Sequence, residues 1–397
     1  MLRRIAFAML VGCATASSAF GAAWALLDSS FVTHEVDVAA IDATGIARAT
    51  PTTQSATSPS TAPARFDLDA VVELSRINPK TKPAAMFLHL VDGQRIAGGV
   101  QSLDGETLTW KGDLGTWTVD LKQIRAIGPA TATQNAEVPA EDIVKLKNGD
   151  TLAGVVAGAN AKKLTLQSGN DSTEIEWANV ASLRLAGNAS KPVGLDVPIV
   201  RVTTLDGSVL FGKSIAGDAK TWKLADLTGD GVRTVVVDKV QRVERLGGRV
   251  VWLSTLAPSE VVDRPFFPAT RPREAFVDRR STGTTASVAG TKIERSIGVR
   301  SQSKLTWAIA PGAYAQLRLR YAVPDDARSG NVTVRVLVDG KARHEQTNVV
   351  AGKQSDVVTI DLPTTASSVS LEVDYGEGYD VQDKLEWIDA ALVRTGT

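Results

Sequence analysis

The stretch LEVDYGEGYDVQDKLEWIDAALVR, residues 371–394, decides the fold class. Its second half alternates. Leu385, Trp387, Asp389, Ala391 and Val393 fall on one face, and Glu386, Ile388, Ala390, Leu392 and Arg394 on the other. A period of two is the signature of a strand, and the residues from Leu371 onward alternate in the same way before the polar loop. The stretch therefore reads as two strands joined by a loop that carries Tyr379, Asp380 and Asp383. Three roles are open for Asp380 and Asp383: capping the turn, holding a structural cation, or touching a ligand.

The residues before it follow the same period. Segments 292–310, 313–323, 331–347, 355–363 and 368–376 all alternate, and Asp339-Gly340 marks a hairpin inside one of them. Six or more strands with no helical period predict a β-sandwich over residues 250–397.

Upstream the chain repeats itself. Asp92-Gly93, Asn148-Gly149 and Asp206-Gly207 each follow a short apolar run, and a second glycine comes five residues after the first (Gly98, Gly154, Gly212). Leu108, Leu164 and Trp222 follow at one common offset, and Ile127, Leu183 and Val243 close each copy. These features predict three tandem small barrels of the SH3-like or Sm-like kind at residues 84–128, 141–187 and 198–247. The second glycine marks a bend or bulge. Each copy is near the lower size limit for a stable domain, so the copies are expected to pack on one another. The segment Asp226–Gly231, DLTGDG, starts like a calcium loop but has Val237 where a bidentate glutamate belongs, so it reads as a plain turn.

The N-terminus, MLRRIAFAMLVGCATASSAFGAAWALL, has two early arginines and then no charge before Asp28. That is the pattern of an export segment over residues 1–27. Three outcomes are open: cleavage after Gly21 or Ala23, retention of residues 5–27 as a membrane anchor, or lipidation of Cys13 in a lipobox-like LVGC. Residues 28–65, rich in Thr, Ser, Ala and Pro toward their end, read as a disordered tether, and residues 66–77 as a short capping helix. The protein is thus expected in the periplasm or at the cell surface.

Composition removes several function classes. Lys+Arg and Asp+Glu both number 44 among the 397 residues, which gives no net field for nucleic acid. Cys13 is the single cysteine, so no disulfide or cysteine-based metal site forms within one chain, and three scattered histidines argue against zinc or Ser/His chemistry. A glycosidase needs two carboxylates across a cleft. Export segment, tether, barrels and sandwich leave no residues for a catalytic domain of usual size, so a non-catalytic protein is expected.

Two family resemblances add to this. The first hairpin of each repeat, DG-x4-G, resembles that of the Sm-like barrels. The RNA-contacting Arg-Gly of their second motif is absent, so RNA is not an expected partner. Residues 250–394 resemble the NPCBM/NEW2 module, described beside glycoside hydrolases of family 98. VWLSTLAPSE, SIGVRSQSKLTW, VRVLVDGK and the ending LEVDYGEGYDVQDKLEWIDAALV carry that likeness. Arg300 stands where the family often has histidine, and YAVPDDARSG, with Asp325 and Asp326, lacks the usual first glycine.

The resemblance implies a galactose-binding-like jelly roll and a polysaccharide or glycoconjugate ligand; no cofactor is expected, and a structural calcium ion in the C-terminal module stays open. Aromatic faces would meet sugar C–H groups and carboxylates would take hydroxyls. Rings come from Trp307, Tyr314, Tyr321, Tyr375, Tyr379 and Trp387; acceptors come from Asp325, Asp326, Asp380 and Asp383. Trp387 is either a core residue or such a platform. Two functions stay open: an exported carbohydrate-binding protein, or a structural scaffold that holds envelope proteins.

Overall fold

The computed structural model describes residues 24–43, 45–48, 65–132, 138–191, 193–195, 197–264, 275–277, 286–293, 295–377 and 382–395. Regular structure in these residues is β-strand, with short 3-10 turns between some strands. No helix among them is long and apolar enough to cross a membrane. Cys13 lies outside the described residues.

One strand plan occurs four times. The first strand of each unit pairs with the second and with the last, and the third and fourth strands pair in sequence. The registers coincide. Leu26, Leu88, Val144 and Val202 lie opposite Leu74, Ile127, Leu183 and Val243. Ile46, Leu108, Leu164 and Trp222 lie opposite Phe66, Val119, Ile175 and Val235. All sixteen side chains are buried in one shared core. The units span 24–76, 87–128, 142–184 and 199–246.

The first unit corrects the expectation for the N-terminal region. Trp24–Asp28 is a strand with Trp24 and Leu26 buried, so residues 24–27 belong to the folded repeats and not to the segment expected over 1–27. Thr33–Val36, Val38–Asp42 and Gly45–Arg48 are strands where a disordered tether was expected. Val71–Arg76 is a strand, not a helix. Its β-branched Val71 and Val72 and its Leu74 are buried against neighbouring strands, and this tertiary burial outweighs the weak helical pattern. Residues 1–23 and 49–64 lie outside the described residues.

The units associate in two pairs, each with a local two-fold relation. Ile127 faces Leu183 and Leu103 faces Ala159, so equivalent positions meet. Leu74 faces Val243 and Ile41 faces Gly217 in the same two places of the other pair. Each unit too small to bury its own faces thereby gains a partner, as stacked repeats do.

Turn chemistry fixes the first hairpin of three units. Gly93, Gly149 and Gly207 have φ of 92°, 99° and 89°. The side chain before each accepts the backbone N–H two residues on: Gln94 N to Asp92, Asp150 N to Asn148, Ser208 N to Asp206. Only the glycine takes positive φ, so the turn is not the two-residue type in which both residues do. The second glycine has a different role. A Cβ on Gly98, Gly154 or Gly212 would overlap the carbonyl oxygen of Lys111, Gln167 or Ala225. Gly154→Ala is therefore expected to cost about 1–3 kcal/mol in chemical denaturation. Gly158→Ala, with open space around its Cβ, is expected to stay near wild type.

The C-terminal unit is a two-sheet sandwich. Ser296–Arg300, Lys384–Arg394, Tyr314–Ala322 and Val358–Asp361 form one sheet in that order, edged by Phe276–Val277, with Val250–Trp252 also on Lys384–Arg394. Glu260–Asp263, Ser303–Ala308, Ser368–Tyr375, Asn331–Val338 and Lys341–Val350 form the other. The core between them holds Trp307, Leu317, Leu319, Val334, Val336, Leu371 and Trp387. Asp339 and Gly340 both take positive φ, 48° and 73°, as a tight two-residue hairpin turn requires.

The final strand departs from the simple alternation. Opposite it, the register shifts between Arg318 and Arg320, and Asp389 has φ 49°. This is a β-bulge, which reverses the phase of the strand. Leu385 and Trp387 point into the sandwich core, and after the bulge Ala390 and Leu392 do so. Ile388 and Ala391 pack outward, under the hairpin Ala286–Val288/Thr291–Ile293 and under Trp252. Asp389 is thereby turned toward the repeat units.

Arg295 is the charged centre of the contact between the sandwich and the repeats, beside an apolar cluster of Val72, Ile199 and Leu246 with Trp252 and Ala391 and a 2.8 Å bond from Arg318 Nη1 to the Ser30 carbonyl. The register of the two last strands places Glu73 directly opposite Glu244. Like charges in that position repel. Arg295 of the sandwich enters between them, with Nη2 2.6 Å from Glu73 Oε2 and 2.9 Å from Glu244 Oε1. Its guanidinium also lies 3.9 Å from the centre of the Trp252 ring. Arg201 holds Glu244 from the other side with two contacts of 2.6 Å. Burial pushes the Glu244 carboxyl up, but Arg201, then Arg295 and Arg242, outweigh it and hold the group at about 2. Burial acts against the charge on Arg295, yet Glu73, Glu244 and Asp389 push its value well above the usual arginine range.

Candidate functional site

Three loops meet at one end of the sandwich: 301–302, 323–330 and the loop that ends at Asp383. Asp383 ties them together. Its Oδ1 accepts Asn331 N at 3.1 Å, its Oδ2 accepts Ser301 Oγ at 3.3 Å, and its carbonyl accepts Ser301 N at 3.1 Å. Gln382 adds a bond from Ser329 N to Oε1 at 3.1 Å, and Gly376 N donates to the Asn331 carbonyl. The loop backbones are thus held by side-chain acceptors. The strand ends beneath them are fixed by the ladder of Ser296–Arg300 on Lys384–Arg394.

On this frame the exposed polar groups cluster. Arg300 ends its strand and faces Lys384 across the ladder. Two cations side by side are unfavourable, and Lys384 Nζ reaches Asp326 Oδ2 at 3.2 Å, which offsets them. Two residues past Arg300, Gln302 donates to Asp374 at 3.3 Å. Gln302 and Asp374 border a groove of about 360 Å3 on the outer side of the second sheet, together with Glu260, Arg264 and Lys304. Arg335, hydrogen-bonded to Glu372, Asp374 and Glu345, is held above the ordinary arginine range and locks the acids of that face. The arrangement offers donors and acceptors at fixed spacing on a rigid base, which suits hydroxyl-rich ligands.

The residues singled out from sequence divide into three groups. Arg300 and Asp326 are exposed at this end, and with Lys384 they form its charged rim. Asp383, Asp325 and Trp387 have structural positions instead. Asp383 is 3% exposed, and its two oxygens accept Asn331 N and Ser301 Oγ, which is the capping role among the three open to it. Asp325 caps the neighbouring hairpin by accepting Ala289 N at 2.7 Å and Gly290 N at 3.0 Å. Trp387 is fully buried and packs edge-on against Tyr321 at 5.9 Å, so it cannot serve as a platform. Tyr379 and Asp380 lie outside the described residues.

The other rings are mostly internal too. Trp307 and Tyr321 are buried, and the Tyr321 hydroxyl is 3.0 Å from His344 Nε2. Burial holds the His344 imidazole below its usual range. Tyr314 is half-buried near the Arg394 guanidinium, and Tyr375 is half-buried beside the candidate site. Sequence reasoning missed Lys384, Gln302, Gln382 and Asp374. Lys384 and Gln382 flank Asp383 in the quoted stretch, and the register of a sandwich with Arg300 at a strand end would have pointed to Lys384. Among the described residues no group of three or more His, Cys, Asp or Glu could hold a metal ion.

Several solved structures are similar to the chain. A CBM51 module of a Clostridium perfringens GH95 protein, solved with methyl-galactose, is 18% identical and covers 36% of this chain and 99% of its own, with a TM-score of 0.31. The tandem CBM51 modules of Sp3GH98, a family 98 glycoside hydrolase from Streptococcus pneumoniae, are 11% identical and cover 78% of this chain and 88% of theirs, with a TM-score of 0.32. No curated protein matches the chain. The family comparison is confined to the C-terminal unit: residues 249–393, which hold both sheets and the whole candidate site, match the NPCBM/NEW2 domain.

Proposed function

We propose that the protein binds carbohydrate through the loop end of its C-terminal sandwich and has no catalytic activity of its own. The observation that carries this reading is the NPCBM/NEW2 match over residues 249–393. With Trp307, Tyr321 and Trp387 in the core, recognition rests on hydrogen bonds more than on ring stacking. Arg300 and Lys384 donate to sugar oxygens, Asp326 accepts hydroxyls, and Gln382 does both. Tyr375 supplies a partial apolar edge. The basic and then uncharged N-terminus supports export, so the ligand is a polysaccharide or glycoconjugate met in the periplasm or at the cell surface. No cofactor enters this reading.

The double variant Arg300→Ala/Asp326→Ala is expected to lose at least tenfold in glycan affinity, read as lost retardation in affinity electrophoresis through polysaccharide gels. Unchanged retardation would move the site elsewhere. A scaffold that holds envelope proteins is the second reading, and the burial of the three core rings supports it. It predicts no retardation in any gel, and capture of an envelope protein by the intact chain.

A further inference from the structure

We propose that the cleft between the repeat units and the sandwich is a second ligand site, built for a small hydroxylated acid of the uronic-acid class. The cleft has a volume of about 270 Å3 and draws its walls from both parts of the chain. That is just below the ~300–1,000 Å3 usual for small-molecule pockets, so it suits one ring and not an oligosaccharide.

Its charges are arranged for a single anion. Arg295 and Arg242 are committed to the acids of the docking site, at 2.6 Å and 3.4 Å from Glu73. Two other cations line the cleft. Arg320 has Asp389 as its nearest carboxylate, at 3.9 Å, which is longer than a hydrogen bond. Lys292 is exposed, and no carboxylate lies within ion-pair distance of it among the described residues. A ligand carboxylate between Lys292 and Arg320 would complete both. Glu73 and Asp389 line the same cleft and disfavour a multiply charged phosphate or sulfate, whereas they accept hydroxyls. Phe31 and Ile388 supply an apolar wall for ring C–H groups.

Backbone strain converges on the same place. Phe31 has φ 64° and Asp389 φ 49°, and both side chains line the cleft. A bulky residue such as Phe31 rarely takes such a conformation, whereas aspartate tolerates it, and strain of the first kind clusters at ligand sites. The bulge at Asp389 costs the last strand its regular pairing, and what it achieves locally is to aim a carboxylate at Arg295 and Arg320. None of these residues belongs to the loop end, so the inference stands apart from the reading given there.

The test is isothermal titration of the full chain with D-glucuronate and D-galacturonate, with D-galactose and acetate as controls. Saturable binding of a uronate, at least tenfold tighter than either control, is expected. Lys292→Gln and Arg320→Gln should each weaken it at least tenfold, and Lys163→Gln, on the strand Lys163–Ser168 and not among the cleft's lining residues, should not. The Lys292 side chain is exposed, so its variant tests the proposal even if Arg320→Gln fails to fold. No uronate binding, equal binding of D-galactose, or full binding by Lys292→Gln would overturn it.

Discussion

Arg295→Met is expected to destabilise the folded chain by about 3–5 kcal/mol, because it removes the cation between two opposed, largely buried carboxylates and leaves each with one arginine partner. Glu73 and Glu244 are forced into direct opposition by the strand register, and Arg295 is the sandwich's cation between them. The effect should appear as a fall in Tm of roughly 5 °C. It should also loosen the sandwich from the repeats, read as new protease cleavage near residues 247–249. The double variant Arg295→Met/Glu73→Leu removes one of the opposed charges and should recover part of the loss, since residues in one network are not additive.

The pH dependence follows from the same cluster. The Glu244 carboxyl is held at about 2, below its ordinary 4.5. A depressed acid contributes stability that is fully present above its unfolded value and is lost as pH falls through its folded value. Wild-type stability should therefore decline between pH 4.5 and 2. With Arg295 removed the depression is smaller, so the decline over that window should be shallower. An equally steep decline would show that Arg201 alone sets the Glu244 carboxyl.

Trp387→Ala is the second large effect, at about 3–5 kcal/mol, the cost of a cavity left by a fully buried ring. The ring packs on Tyr321 and lies on the strand that pairs with Ser296–Arg300 on one side and Tyr314–Ala322 on the other. Trp387→Phe keeps most of the apolar contact and should cost clearly less. Glycan binding by Trp387→Phe should match wild type. A selective loss of binding in a folded Trp387→Phe would give the ring a role at the site that its burial denies.

Much of the fold was legible because its signals are local. Alternation and the Asp339-Gly340 turn located the sandwich strands, and the DG and NG turns with their paired glycines located the equivalent hairpins. The first unit was not legible. Its opening turn runs through Asp28, Ser29 and Ser30 with no glycine, Val36 stands near where the other units have their second glycine, and a Thr/Ser/Pro-rich stretch interrupts it. Trp24 to Leu27, placed after small residues, looked like the end of an export segment and is instead a core strand.

The bulge at Asp389 was hidden for another reason. The last strand is buried on both faces, so Ile388 and Ala391 are as apolar as Trp387 and Leu392, and one extra residue leaves no mark on the pattern. At the loop end, Arg300 and Asp326, singled out through the family resemblance, are exposed. Asp383 was left open between a cap and a ligand contact, and Asp325 was read as a ligand acceptor, because a carboxylate that caps a loop and one that meets a ligand have the same sequence. Only their hydrogen bonds separate them.

The measurement that tests the account most directly is a glycan array probed with the intact protein and with Arg300→Ala/Asp326→Ala. The account predicts binding to at least one class of glycan by the wild type, reduced tenfold or more in a variant whose Tm is unchanged. A folded wild-type protein that binds no glycan on the array would contradict it, and the chain would then stand as a scaffold.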